Sequence, residues 1–328
     1  MHATSTRGIP PTNSPPSSPT SGTRRPSTPA TTPCRSNISK RGCDRCSPNR
    51  SSSRQVRCLP CAASRCRCTT FPSLHRPPSR LLASVVEEVA RVEEGVVAES
   101  PDGSMHHQLV DYWESSSTYL SQSCGLPFIE QLHRYFDVIG TIRWSGISDE
   151  RGWYRTVIVV RADHRARTVA QLEGARPVIS NTQSLSGWCS LGWALAQVTE
   201  RPDFVQPYRV GERHTGSLQL LQDDEADFAS IDPATFSILS RHRGELTRNL
   251  RIIGHGPLVP ATPLHVSKNR TASLDDVRGA VTRAFSDPAL DDVRRTIGID
   301  SFVGLDNEVY DVVHDLVAIA EQVLPRKR

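Results

Sequence analysis

The chain has 328 residues, enough for one large or two small domains, and its formal net charge of +4 combines two unlike parts. Residues 1–80 carry fourteen of the 39 Lys and Arg residues and a single acid, Asp44; residues 81–328 hold the other 25 bases and 34 acids, a net charge of −9. The part able to fold is therefore acidic, which argues against nucleic acid as its partner. No apolar run is long enough for a transmembrane segment.

Residues 1–80 have the composition of a disordered tail. They contain thirteen of the 24 prolines and seven of the nine cysteines, and they show no hydrophobic periodicity. Such a segment buries too little apolar surface to offset its chain entropy, so we predict that it is disordered. No apolar run of the required length follows its charges, so we do not expect a signal peptide.

The cysteines of this tail include a pattern typical of zinc ribbons. Cys43-x-x-Cys46 and Cys58-x-x-Cys61 have a spacing that can close a tetrahedral thiolate site. The eleven residues between the pairs show neither strand alternation nor helical periodicity. We therefore predict no metal site.

A different hypothesis is that residues 1 to about 75 are translated from the wrong reading frame. The segment Arg65–Ser73, Arg-Cys-Arg-Cys-Thr-Thr-Phe-Pro-Ser, can be back-translated so that a neighbouring frame reads Leu-Pro-Met-Tyr-Asp-Phe-Pro-Glu. Only the third, wobble base of each codon is chosen freely in this back-translation, because the protein sequence fixes the first two. The alternative peptide reads as a strand and a turn, which places a frame slip before Leu81.

From residue 81 onward, predicted helices and strands alternate. Strands are predicted at residues 117–121, 136–141, 154–161, 177–181, 205–210, 227–231, 251–255 and 263–267, and helices at 81–94, 166–172, 188–198, 216–221, 274–286, 288–295 and 309–323. This alternation predicts an α/β fold with mostly parallel sheets. Ligands bind at the carboxyl ends of strands in such sheets.

The turn Ser184-Leu185-Ser186-Gly187 is a candidate anion site. It follows the strand that ends at Asn181 and precedes the helix from Trp188, so hydroxyls and free backbone N–H groups meet at a helix N-terminus. The turn contains no Lys or Arg, which favours reversible binding of an oxyanion. An ordinary helix cap is the alternative. Other candidate ligand residues follow predicted strands at 121–125, 214–217 and Asp232.

An ordered series of short motifs resembles the phosphate/phosphonate-type substrate-binding proteins of ABC transporters. The series is Ser121-Gln122-Ser123-Cys124-Gly125, Tyr154–Arg161, Leu172-Glu173-Gly174, Asn181 with Ser184–Gly187, His214-Thr215-Gly216-Ser217-Leu218, Ala226–Asp232 and Pro260-Ala261-Thr262-Pro263. The resemblance implies a two-lobed type 2 periplasmic-binding-protein fold with hinge strands. It implies a first lobe at 81–158 and 256–328 and a second lobe at 159–255. The out-of-frame Leu-Pro-Met-Tyr-Asp is similar to the family's first strand and loop, which the chain as written would lack.

The resemblance also implies roles for individual residues. Ser184, Ser186 and Gly187 would bind the oxyanion, and His214 would donate to it. Tyr154 would pack near the ligand, and Asp232 would meet a cationic or hydroxyl part. The candidates Gln122, Asn181 and Arg213 complete the predicted set. Glu212-Arg213 replaces the Gly-Ser that many members have, adding a cation and an anion near His214.

Single residues have plainer interpretations too. His214 is compatible with a structural role, and Asp232 before Pro233 with a simple turn. Cys124 and Cys189 lack a recognisable base, so buried cysteines are expected rather than a thiol enzyme.

Three classes of function remain open on this sequence: a non-catalytic binding protein, an enzyme on the same fold acting on a small anionic metabolite, and a zinc- or nucleic-acid-binding protein defined by the basic tail. The first is our prediction, with no cofactor, a small anionic ligand and an ABC permease as partners. The resemblance implies the periplasm or cell envelope, although the chain as written would stay in the cytoplasm.

The frame hypothesis has a direct test. Sequencing the gene across the codons for residues 60–85 is expected to show a frame discontinuity before Leu81. An uninterrupted frame in genomic DNA, with peptides from residues 1–75 found in the expressed protein, would contradict it.

Overall fold

The computed structural model describes residues 55–57, 77–99 and 118–326. The strands are β1 (Gln55–Arg57), β2 (Val97–Glu99), β3 (Thr118–Gln122), β4 (Phe136–Trp144), β5 (Trp153–Arg161), β6 (Pro177–Ile179), β7 (Arg209–Val210), β8 (Phe228–Ile231), β9 (Leu250–Pro260), β10 (Pro263–Ser267) and β11 (Ile299–Val303). The α-helices are α1 (Pro77–Ala90), α2 (Gly125–Glu130), α3 (Ser190–Ala196), α4 (His214–Gln222), α5 (Pro233–His242), α6 (Gly244–Thr247), α7 (Leu274–Ser286), α8 (Asp291–Ile297) and α9 (Val312–Val323).

The described strands form two mixed sheets. The order in the first sheet is β11-β4-β10-β3-β1-β2, and the order in the second is β7-β6-β8-β5-β9. Each sheet contributes buried apolar side chains, such as Val138 and Ile139 on β4 and Ile158 and Val159 on β5. Helices cover the sheets through apolar faces. On α1, for example, the buried residues Leu81, Val85 and Val89 are four positions apart and so lie on one face of the helix. The architecture is the two-sheet α/β fold that the sequence predicts.

The prediction that the sheets are mostly parallel is wrong. Parallel pairs are β1 with β2 and β3, and β6 with β7 and β8. Antiparallel pairs are β10 with β3 and β4, β11 with β4, and β5 with β8 and β9. The sequence signal for a buried strand is the same for both directions, because a strand covered on both faces is apolar along its whole length.

Several local predictions hold and others need correction. Helix α7 has the predicted bounds, with Ser273 at its N-cap accepting a hydrogen bond from the Asp276 N–H. The helix predicted at 166–172 is a single 3₁₀ turn at Val169–Gln171. In so short a segment the few hydrogen bonds formed do not offset the conformational entropy lost in nucleating a helix. The strand predicted at 205–210 is reduced to Arg209–Val210.

Two pieces of the predicted tail carry regular structure. Gln55–Arg57 form β1, which lies between β2 and β3 and runs parallel to both, and α1 begins at Pro77. Composition could not exclude a three-residue strand, because a β ladder uses backbone groups that almost any residue supplies. The tail cysteines and the back-translated segment Arg65–Ser73 lie outside the described residues.

The chain passes between the sheets along β5 and β9, which pair with one another from Trp153↔Pro260 to Arg161↔Leu250. The predicted lobe boundaries, 158/159 and 255/256, fall inside these two strands. Helix α9, which lies in the segment predicted for the first lobe, packs against α3. The exact lobe limits stay predictions. The longest of the described helices, α1, has 14 residues, and none of them is long and apolar enough to cross a membrane.

His265 is a buried polar residue in the core of the first sheet. It is 0% exposed on β10, and its ring lies 4.6 Å from the ring of Phe136 and 5.8 Å from that of Phe128, centroid to centroid. Neither ring nitrogen has a hydrogen-bond partner among the described residues. Burial lowers the pKa of His265 to about 3, because the imidazolium would lose its hydration.

This histidine should make the protein less stable in mild acid. Its pKa in the folded state lies below its unfolded value of about 6.5, so its contribution is complete above pH 6.5 and is lost as the pH falls. Between pH 7.5 and pH 5 the loss should be about 2 kcal/mol in the free energy of unfolding, measured by urea denaturation. His265→Phe should remove this part of the pH dependence, whereas His255→Gln, at an exposed position, should keep it. Equal slopes in wild type and His265→Phe would contradict the assignment.

Candidate functional site

The predicted anion turn is a π-helical turn at Leu185–Cys189, capped by Ser184. The Cys189 N–H donates to the Ser184 carbonyl at 3.1 Å, and the Gly187 N–H donates to Ser184 Oγ at 2.9 Å. A Cβ at Gly187 would lie 2.1 Å from Ser180 Oγ, so any larger residue there would force that hydroxyl to move. The wide turn leaves Ser184 and Ser186 side by side, with their Oγ atoms 3.4 Å apart.

Ser186 connects this turn to the N-terminus of α4. Its Oγ lies 2.9 Å from Nε2 of His214, the first residue of that helix. His214 Nδ1 is buried and has no partner among the described residues. Burial lowers the pKa of His214, and the Asp232 carboxylate opposes that effect. A neutral ring at this helix end can donate one N–H to an anion without carrying a fixed charge.

Tyr154 and Asp232 form the second polar pair. The Tyr154 hydroxyl donates to Asp232 Oδ2 at 2.6 Å, and the Thr235 N–H donates to Oδ1 at 2.7 Å, so Asp232 also caps α5. The two residues are 4% and 9% exposed. Burial, and then the negative charge of Asp232, raise the pKa of Tyr154 well above its usual range. The phenol therefore stays a donor, and the carboxylate is the negative group of the site.

The turn after β3 faces these residues from the first sheet. Cys124 Sγ accepts a hydrogen bond from the Leu185 N–H at 3.2 Å, which joins this turn to the π turn. Burial raises the pKa of the Cys124 thiol, against the effect of the surrounding backbone N–H groups. Gln122 Nε2 donates to the Thr262 carbonyl at 3.4 Å, and Thr141 Oγ1 donates to the same oxygen at 2.9 Å.

A cleft opens between the two turns. Its free volume is about 10 Å³, room for about one water molecule, so the two sides of the cleft lie close together. The lining residues are Cys124, Gly125, Tyr154, Thr156, Leu185, Ser186, Val259, Pro260 and Thr262. Ser186 and Tyr154, one residue from each polar group, thus line the cleft together with small and apolar residues from both sides.

The C-terminal segment contacts the π turn through Trp188 and stabilises it. The Trp188 indole is fully buried, and its N–H donates to the Leu324 carbonyl at 2.9 Å. The Arg326 guanidinium lies 4.6 Å from the centre of the Trp188 ring and pairs with Glu130 at 2.7 Å and Glu321 at 2.6 Å. Because Glu130 ends α2 beside the first sheet, this cluster ties the π turn to that helix.

The structure brings together most of the predicted set, with two exceptions. Ser184, Ser186, Gly187 and His214 form one group, Tyr154 and Asp232 form the other, and Gln122 reaches the cleft through Thr262. Asn181 is exposed, and its Oδ1 accepts from the Gln183 N–H at 3.0 Å, so it supports the turn. Arg213 is half-buried at the N-cap of α4, with its Nε buried and unpaired among the described residues.

Sequence reasoning did not single out Val259, which lines the cleft and carries no chemistry that a motif search would find. Cys124 and Gly125 lie in the predicted ligand range 121–125 and Leu185 in the predicted turn, but the sequence assigned none of the three a place in the wall of the cleft. Within the described ranges, no three His, Cys, Asp or Glu side chains lie close enough together to hold a metal ion.

Comparisons with known proteins agree with this fold. Residues 143–310 match the family model described as the phosphonate periplasmic substrate-binding protein of ABC transporters. A search of curated proteins gave no match.

Three solved structures of binding proteins have similar folds. PhnD1 of Prochlorococcus marinus, in complex with methylphosphonate, aligns with a TM-score of 0.65 and 11% identity over 83% of this chain and 100% of that one. A binding component of an ABC phosphonate transporter of Pseudomonas aeruginosa gives 0.59 and 12% over 82% and 87%. The alkanesulfonate-binding protein SsuA of Xanthomonas axonopodis, bound to MOPS, gives 0.52 and 17% over 83% and 94%.

The fold and cleft therefore define a type 2 periplasmic binding protein. More closely, the chain belongs to the phosphonate substrate-binding protein family of ABC transporters. The family consists of non-catalytic substrate-binding components of ABC phosphonate transport, so the chain is a ligand-binding component, the first of the three classes considered from the sequence.

Proposed function

We propose that the protein binds a small solute by a phosphonate-type oxyanion end in the cleft between its two sheets and presents it to an ABC permease in the periplasm or cell envelope. The observation that carries this proposal is the contact of Ser186 Oγ with His214 Nε2 at 2.9 Å, beside Ser184 and at the N-terminus of α4. Hydroxyls, a neutral imidazole and a helix N-terminus all donate to an anion.

Reversible release fits a binding site whose direct hydrogen-bond donors are neutral. An oxyanion held by Ser184, Ser186 and His214 receives hydrogen bonds from neutral groups. These hydrogen bonds hold the oxyanion less tightly than the charged guanidinium of an arginine would, so the solute can dissociate and pass to a transporter. The half-buried Arg213, next in the chain to His214, adds a positive charge at the edge of this group.

Asp232 favours a ligand that is not uniformly negative. Its carboxylate is 9% exposed and already accepts from Tyr154 and Thr235. A fully ionised phosphate close by would be repelled. A phosphonate with a nearby ammonium or hydroxyl group would instead pair with this carboxylate. We therefore propose a substituted phosphonate rather than inorganic phosphate as the ligand.

Binding and its dependence on Ser186 can be measured on the full chain. A thermal-shift screen with phosphate, phosphite, methylphosphonate, aminoethylphosphonate and methanesulfonate should show stabilisation by a phosphonate, about 2.7 kcal/mol at a hundredfold excess over the dissociation constant. Ser186→Ala should weaken binding by about tenfold or more, since it removes a donor to a charged group. Ser240→Ala, at an exposed helix position, is the matched control and should bind normally. No stabilisation by any of the five oxyanions would count against the proposal.

Asp232→Asn distinguishes phosphonates that carry an ammonium group from those that do not. Asparagine keeps the N-cap oxygen for the Thr235 N–H and removes the negative charge. Affinity for aminoethylphosphonate should fall about tenfold, and affinity for ethylphosphonate should rise, because only the first offers a cation to the carboxylate. Titration calorimetry of both ligands against both proteins measures this. Equal changes for the two ligands would show that Asp232 does not meet the ligand's cationic part.

A further inference from the structure

Leu185 is the apolar member of the otherwise hydroxyl-bearing turn Ser184–Ser186. The two serines lie next to each other and toward His214, whereas the leucine lines the cleft together with residues of the first sheet. Its side chain is 5% exposed. Leu185 thus reaches from the π turn beside the second sheet to the turn after β3 of the first sheet. A solute bound to the two serines would extend past this side chain.

Gly125, the first residue of α2, lies against this side chain, and Tyr310, just before α9, lies beside Gly125. Leu185 Cδ2 lies 2.9 Å from the point where a Cβ on Gly125 would be, and the ring of Tyr310 lies 3.5 Å from the same point. Any larger residue at position 125 would therefore displace the leucine. The backbone is held as well, because the Leu185 N–H donates to Cys124 Sγ at 3.2 Å.

These contacts limit the space left in the cleft. With the oxyanion held by Ser184, Ser186 and His214, the remainder of the solute must lie beside Leu185, between Tyr154 and the turn at Cys124 and Gly125. A side chain packed on two sides does not move aside without losing those contacts. An apolar wall of this kind discriminates by size, since each methylene that has no room costs binding.

We propose that Leu185 is a specificity-determining residue that restricts the ligand to a phosphonate with a short substituent. The inference rests on the proposed function, and it goes further by stating an upper limit on ligand size. Leu185 closes the end of the cleft, and Gly125 is the position that lets it do so.

Leu185→Ala tests the size limit. It removes the outer carbon atoms of the side chain, which is about the difference in length between methylphosphonate and butylphosphonate. Calorimetry on the full chain should show that the wild type prefers methylphosphonate. The ratio of the two dissociation constants should shift toward butylphosphonate by about tenfold or more in Leu185→Ala.

Two further variants keep the test decisive. Gly125→Ala should push Leu185 farther into the cleft and shift the ratio in the opposite direction. Leu274→Ala removes a partly buried leucine on α7 that does not line the cleft and should leave the ratio unchanged. If Leu185→Ala does not fold by circular dichroism, Leu185→Val should give a smaller shift in the same direction.

The outcomes separate this inference from the proposed function. Binding of both phosphonates with an unchanged ratio in Leu185→Ala would overturn the size limit and leave phosphonate binding intact. If methylphosphonate, butylphosphonate and aminoethylphosphonate all fail to bind to the wild type and to Leu185→Ala, the proposed function fails, and the size limit fails with it.

Discussion

The antiparallel ladder between β5 and β9 is the interaction on which the rest of the molecule depends. These strands pair from Trp153↔Pro260 to Arg161↔Leu250, and they are where the chain passes from one sheet to the other and returns. The register of β5 also sets the site, because Val157 pairs with Ile231 at the end of β8. Tyr154 and Asp232 flank that pair along the chain and meet at 2.6 Å. A shift of one residue would turn Tyr154 to the other face of the sheet.

The return strand positions the opposite side of the cleft. β9 ends at Pro260, and the next residues lead directly into β10 of the first sheet. The Thr262 carbonyl accepts hydrogen bonds from Gln122 and Thr141 in that connection, and the Ala261 carbonyl accepts one from Tyr310 at 2.6 Å. The cleft therefore lies where the two sheets are joined by short, well-bonded connections, and residues from both sides line it.

The polar chemistry of the site follows from burial more than from charge. Burial lowers the pKa of His214 and raises that of Tyr154, which keeps the imidazole neutral and the phenol protonated. Both groups then act as hydrogen-bond donors of fixed character near neutral pH. The Asp232 carboxylate alone among these three carries a full charge, and it lies where the Tyr154 hydroxyl and a backbone N–H already stabilise it.

Local sequence signals determined much of this protein. Hydrophobic periodicity predicted helices α1 and α7, and a hydroxyl-rich stretch after a strand predicted the turn at Ser184–Gly187, because each signal depends on neighbouring residues. Tertiary structure alone decided the strand directions, the contact of Leu185 with Gly125 and the N–H bond to Cys124. Those contacts join residues about sixty positions apart whose side chains carry no polar signature. Only the tertiary fold, which places the turn after β3 beside the π turn, brings them together.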